Sequence, residues 1–558
     1  MSVEKKAAGP SSSGEDAEAT RIPPRLIGLG AVLLILGVFW MLRPSPKTQG
    51  PLPGFPSHAD QFAQGDLAND PTFLRGKQVA EQICQTCHML PGPELVDKFS
   101  WGMCVLPSMS SWVGVVPIDW RNEPGGQYFT NGSPMPLQPM VNHSDWRAVV
   151  SYYLNAAPQN PIVPTNKAPV SLAFDGFKPE FPEYRLGKPM TTLVKIDALN
   201  RQFYICDAES LKLALIGENG KLKASLDMTN PVVQLQNYPS QSELTLTLIG
   251  NVYPSNERKG KLVTTPLPGS KLTAPKVLLS ELQRPTDARF ADLNGDGLVD
   301  IALCQFGNIL GKYSWFEQKP DGTYVEHVLL DRAGAIRSYV HDFNKDGKPD
   351  LIVMMAQGRE GIYLFMNKGN GEFEQQTVVE HVPSWGNSYF ELIDFNQDGF
   401  ADILCTNGDN GDVPDYPNAP KAYHGIRLLL NDGKNNFKEE WFYPMYGAYK
   451  ARLADFNGDG KPDICAIAFF PDYLGKFKES FVLLMNQGGT NFKPFTFPES
   501  ISGRWMTMDI GDIDGDGDTD IVLGAFNRSF HDVPEILYGE WEKRGPSMVI
   551  LRNTLRKK

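Results

Sequence analysis

Cys84-Gln-Thr-Cys87-His88 sets two thiols three positions apart with a histidine directly behind the second. That spacing suits covalent attachment of a c-type haem, in which each thiol adds to a vinyl group and the histidine becomes the proximal iron ligand. A redox dithiol would not require the histidine. A zinc site would need a second Cys or His pair nearby, and only Cys104 follows. One covalent haem c is therefore expected on Cys84, Cys87 and His88. Five methionines follow as candidates for the opposite iron ligand: Met89, Met103, Met109, Met135 and Met140. Met109 stands shortly behind Trp101, and Met135 stands in a Ser-Pro-Met-Pro loop before the closing helical pattern around Asp145 to Leu154. Both remain open, while the other three read as core packing. A thioether opposite histidine raises the potential and keeps iron six-coordinate, which suits electron transfer better than oxygen chemistry.

A second chemical phrase occurs five times in the C-terminal half: Asp at position 1, Asn or Asp at 3, Asp at 5, Gly at 6 and Asp at 9. The copies are Asp292, Asn294, Asp296 and Asp300; Asp342, Asn344, Asp346 and Asp350; Asp394, Asn396, Asp398 and Asp402; Asp455, Asn457, Asp459 and Asp463; and Asp512, Asp514, Asp516 and Asp520. Alternate oxygens turned into one small space, with a glycine permitting the tight turn, are the grammar of a calcium loop. The loop closes on Asp at position 9 rather than on the Glu at 12 of an EF-hand. Each closing Asp runs into a short apolar stretch such as Ile301-Ala-Leu-Cys, so the loop feeds a strand. About five calcium ions are expected, one per copy.

The first aspartates of successive copies lie 50, 52, 61 and 57 residues apart, a spacing that fits propeller blades. Strand-like runs alternate with turn signals within each repeat, with no long helical period between them. Radial closure leaves such repeats without long free edges. Thr191 to Leu222 and Val232 to Pro268 read as two further blades without a metal loop, which makes seven. The loops Asn407 to Tyr423, Phe469 to Lys478 and Asn527 to Gly545 lengthen in the last three blades and carry Tyr416, Tyr423, Phe469, Phe470, Tyr473, Phe530, Tyr538 and Trp541. They read either as a docking surface or as a lid packed upon itself. Asp409, Asp412, Asp415 and His424 are candidates for an extra metal site there.

The expected fold class is multidomain: one N-terminal transmembrane helix, a small all-α cytochrome c domain, and an all-β seven-bladed propeller with calcium loops. The boundaries are a polar tail at 1–24, a membrane signal anchor at 25–43, a Pro-rich spacer at 44–70, the haem domain at 71–160, a linker at 161–184 and the propeller at 185–555. Leu26 to Leu42 is uncharged and apolar between Arg25 and Arg43, long enough as a helix to span roughly 26 Å. Covalent haem is attached outside the bacterial cytoplasmic membrane, so a single pass with the N-terminus inside and the bulk in the periplasm is expected. The net charge of −12 argues against nucleic-acid partners. Cys304, Cys405 and Cys465 fall in corresponding strands of different blades and, like Cys206, read as small buried hydrophobes.

Calcium-loop repeats joined to a CxxCH motif resemble the bacterial FG-GAP/VCBS-repeat proteins, whose propellers are similar to the integrin α-subunit head. The resemblance spans roughly 75–553. It rests on Cys84-Gln-Thr-Cys-His-Met-Leu-Pro, Val105-Leu-Pro-Ser-Met109, Asn407-Gly-Asp-Asn-Gly-Asp412, Tyr423-His-Gly-Ile-Arg427, Phe469-Phe-Pro-Asp-Tyr473 and the last aspartate run. It implies seven blades and calcium at the five loops, and it favours Met109 through the Leu-Pro-x-Met phrase. The functional expectation is an anchored electron carrier whose propeller docks it to protein partners in a membrane redox complex. The alternatives are a propeller-based oxidoreductase that passes substrate electrons to its haem, and a calcium-dependent adhesion module. No general base, nucleophile or second cofactor motif supports the oxidoreductase.

Overall fold

The computed structural model describes residues 66–116, 124–129, 136, 138–164, 167–172, 176–238, 243–266, 274–411, 420–473, 475, 477–527 and 533–555. Seven four-stranded antiparallel sheets make up the body of the chain. Their first strands are β2 (Thr191–Asp197), β6 (Val232–Asn237), β10 (Pro285–Ala291), β14 (Ala335–His341), β18 (Asn387–Ile393), β22 (Ala448–Ala454) and β26 (Trp505–Gly511). The second strands β11 (Asp300–Gln305), β15 (Asp350–Met355), β19 (Asp402–Asn407), β23 (Asp463–Ala468) and β27 (Asp520–Ala525) are buried at every position. This explains their composition. A strand flanked within its blade and covered by blades on both faces has no solvent side, so it reads as an unbroken apolar run. Outer strands such as Glu372–His381 alternate instead, with one face in water.

The ring is seven blades, as the repeat count predicts, and two of them lack the aspartate phrase. Its closure was not legible. β1 (Phe177–Glu180), inside the stretch expected to be a linker, pairs with β28 (Met548–Asn553), joining Phe177 to Asn553 and Glu180 to Ile550. The last blade thus takes its outer strand from ahead of the first. A four-residue Phe-Lys-Pro-Glu segment has no period to betray it, and its proline is tolerated only at an edge. The four propeller cysteines are buried in separate interblade clusters, as expected.

Two elements of the expected fold class need correction. Among the described residues no helix is long and apolar enough to cross a membrane. The stretch 25–43, on which the anchor and the periplasmic single-pass location rested, lies outside the described residues. Nor do residues 66–164 form a clear, separate all-α cytochrome c domain. Their helices are few and short: α1 (Pro71–Ile83), α2 (Leu106–Trp112) behind a π turn at Trp101–Val105, and α3 (His143–Ala156). α1 crosses α3 at Gly76, where a Cβ would lie 2.0 Å from the Ala148 carbonyl oxygen, so only glycine permits that approach. This small helical layer rests on the propeller. Met89 and Leu95 pack against Val382, Trp385 and Tyr423, and the Asn256 amide donates to the Pro124 carbonyl at 3.1 Å.

Candidate functional site

Between the helical layer and the propeller lies a cavity of about 380 Å³. Cys84, Cys87 and His88 line it from the end of α1, Met109 from α2, and Trp146 and Tyr153 from α3. Gln357, Glu360, Ser384 and Asp409 close it from the fourth and fifth blades. The motif residues, one of the two candidate methionines and propeller loops thus share one space, although 20 residues separate His88 from Met109. Met135 lies outside the described residues. Of the other methionines, Met89 packs at the propeller contact, but Met103, which also lines the cavity, and Met140 are 65% and 38% exposed and are not core residues as expected.

The chemistry of the donors suits a covalent haem. Cys84 and Cys87 are thiols rather than a disulfide. Burial, with the charge of Cys87 second, pushes Cys84 up to about 12, which does not suit a thiolate-driven redox pair. His88 is 7% exposed. Its Nδ1 lies 2.8 Å from the Met89 carbonyl oxygen, a partner that needs Nδ1 to carry the proton and leaves Nε2 as the free lone pair. Burial lowers its pKa, favouring the neutral imidazole a metal requires. Trp101 Nε1 donates to the Pro93 carbonyl at 2.8 Å and the Tyr153 hydroxyl donates to the Pro91 carbonyl at 3.0 Å. Two buried aromatics, 4.1 Å between ring centres, therefore pin the Pro91-Gly-Pro93 turn behind the motif.

The five aspartate loops join the first and second strands of blades three to seven, at the end of the ring away from the helical layer. Each winds around its own first carboxylate: Gly297, Gly347, Gly399, Gly460 and Gly517 donate to Oδ2 of the loop's position-1 Asp at 2.8–3.0 Å. All five glycines have φ between +81° and +91°, so a side chain there would be strained. The closing aspartates have a role the sequence did not disclose. Asp300, Asp350, Asp402, Asp463 and Asp520 are fully buried, and each accepts two backbone N–H groups. For Asp463 these come from Phe456 at 3.0 Å and Asn486 at 2.8 Å. The second donor sits at the end of the third strand, where Asn367, Asn431, Asn486 and Asn553 recur. Asn367 and Asn553 also donate from Nδ2 to the loop of the preceding blade, at Leu293 and Phe456. This Asn was missed, although its recurrence just past an apolar run is visible in the sequence.

In the last loop Asp512, Asp514 and Asp520 offer oxygens within 4.8 Å of one another. Asp514 Oδ1 and both oxygens of Asp518 are buried with no hydrogen-bond donor, and burial together with Asp516 pushes Asp518 up to about 7. Orphaned, mutually repelling carboxylates are what a divalent cation would satisfy. Asp518 was not among the expected ligands.

The long loops pack as a lid rather than presenting free aromatics. Tyr423, Phe469, Tyr473 and Trp541 are each at most 7% exposed. Phe469 and Phe526 meet Met190 at the hub, and Tyr473 packs with Trp541 from α4 (Glu535–Arg544). Tyr416, Phe530, Asp412 and Asp415 lie outside the described residues, and His424 is buried beside the Ser384 carbonyl.

The model of the FG-GAP-like repeat family matches residues 292–353 and 342–405, from the aspartate loop of the third blade to the second strand of the fifth, so the chain carries FG-GAP repeats within its propeller. No curated protein matches the chain. Among solved structures, the chain is similar to the BBS1N–ARL6DN complex soaked with mercury (10% identity, 70% of this chain and 98% of that one, TM-score 0.39). It is also similar to the Dos1 propeller (9% identity, 66% and 78%, TM-score 0.39). A third likeness is to S. cerevisiae Dbp5 bound to Nup159, Gle1, IP6 and ADP (9% identity, 69% and 97%, TM-score 0.38).

Proposed function

We propose that the chain is a one-electron carrier that holds a single covalent haem c between its helical layer and a calcium-stabilised propeller. The observation that carries this reading is the convergence of Cys84, Cys87, His88 and Met109 on one cavity. The haem supplies an iron that changes oxidation state by one electron without proton chemistry. The chain's residues do the rest. Cys84 and Cys87 would tether the group, His88, held by the Met89 carbonyl at Nδ1, would offer Nε2 as a neutral ligand, and Met109 would offer a soft thioether. Trp101 and Tyr153 wall the cavity, and Gln357, Glu360, Ser384 and Asp409 face it from the propeller. The five loops hold calcium at the far end, where they stiffen the blade connections, and the propeller serves as the scaffold by which the carrier docks to protein partners.

Carbon monoxide tests the electron-carrier assignment. With Met109 in the sixth position the reduced protein is expected to keep its spectrum under carbon monoxide. A ready adduct would mean an open coordination site and would argue for ligand or oxygen chemistry instead. Met109→His is expected to lower the reduction potential, since an imidazole stabilises the ferric state more than a thioether does. A potential unmoved by Met109→His but moved by Met135→His would transfer the ligand assignment.

A further inference from the structure

The hub of the propeller contains a second cavity, of about 340 Å³, bounded by the first strands of the blades. Five cations line it: Lys195, Arg289, Arg337, Lys450 and Arg452. Three of them are answered by carboxylates. Lys195 lies 3.0 Å from Asp509, Arg289 lies 3.0 Å from Asp287, and Arg452 bridges Glu391 at 3.1 Å and Asp509 at 2.8 Å. Arg337 is answered more loosely, and Lys450 makes no ion pair with the described residues. Arg337 donates to the Tyr339 hydroxyl and comes only within 4.0 Å of Asp287. Among the described residues the Lys450 ammonium has neither a carboxylate nor a hydrogen-bond acceptor. It lies over the face of Tyr389, 5.2 Å from the ring centre, and Arg337 stacks 4.5 Å from the same ring. The Tyr204 hydroxyl, on a residue that lines the cavity, is buried with no partner.

We propose that this channel is a binding site for a small oxyanion, held between Lys450 and Arg337. Five cations face four carboxylates, Asp197, Asp287, Glu391 and Asp509, and this surplus of positive charge costs the fold unless an anion enters. Burial, and then the neighbouring Arg452 and Arg337, hold Lys450 down to about 7, against the opposing pull of Asp509. The cavity is floored at one end. At the helical end Tyr449, Phe469, Met506 and Phe526 pack together, while the cavity residues lie toward the aspartate-loop ends of β2, β22 and β26. A ligand therefore enters from the face opposite the proposed haem. The volume admits a tetrahedral oxyanion or a short dicarboxylate.

Calorimetric titration of the full chain, calcium-loaded and at constant ionic strength in chloride, tests this with sulfate and malonate as separate probes. Saturable one-to-one binding of either is expected, sulfate alone marking a tetrahedral site and malonate alone a carboxylate site. Lys450→Met is expected to weaken it at least about tenfold, the worth of a charge-assisted donor, and Lys450→Arg to retain it. Absence of saturable binding of both probes to the unaltered chain would overturn the proposal, whether or not Lys450→Met folds. Equal binding by Lys450→Met would overturn it as well.

Discussion

Chelating calcium is expected to lower the midpoint of thermal unfolding by more than about 10 °C. At free calcium a hundredfold above its dissociation constant, each occupied loop adds about 2.7 kcal/mol to the folded state. Five loops together contribute on the order of 13 kcal/mol, and for a propeller this large one kcal/mol moves the midpoint by about 1 °C. The effect should be carried most strongly by the last loop, where Asp514 and Asp518 have buried oxygens without donors. Calorimetric melts in calcium and in excess chelator make the comparison. Identical melts would mean that the loops stand on their internal hydrogen bonds and that most of them hold no calcium.

Asp463→Ala should destabilise the protein by about 2–5 kcal/mol in calcium and in chelator alike. Its carboxylate is fully buried and accepts the amides of Phe456 and Asn486, and each orphaned buried N–H costs about 1–3 kcal/mol. Asp459, at position 5 of the same loop, is exposed and bonds its own loop at the Lys461 amide and side chain. Asp459→Ala should therefore cost stability in calcium and almost none once calcium is removed. Denaturant melts of both variants under both conditions give the four numbers needed. If Asp463→Ala became harmless in chelator, the closing aspartate would be a metal ligand only, and the staple between loop and third strand would be without consequence.

The parts of this molecule that repeat were legible in its sequence. Five aligned loops declared the blades, and Ile301-Ala-Leu-Cys and its counterparts declared the fully buried second strands. What did not repeat was hidden. β1 closes the ring from a stretch with no period, and the short helices behind Cys84 form a layer upon the propeller rather than a domain of their own. The aromatic loops left a docking face and a self-packed lid equally open, because sequence alone does not say which loops meet. Here Phe469, Phe526 and Met190 come from different blades, and only the ring brings them together. Asp518 escaped notice because it falls outside the shared phrase. The hub cations Arg337 and Lys450 are 113 positions apart, and nothing local marks either as part of one site.

The most direct test of the central claim is a pyridine haemochrome spectrum of the purified chain, taken after denaturation and gel filtration. One haem per chain is expected, still attached, with the spectrum of a porphyrin whose two vinyl groups are saturated by thioethers. Cys84→Ala combined with Cys87→Ala should abolish retention while leaving the calcium-dependent melt intact. A chain that emerges without haem from cells able to attach it would contradict the account, leaving a propeller whose helical layer encloses something else.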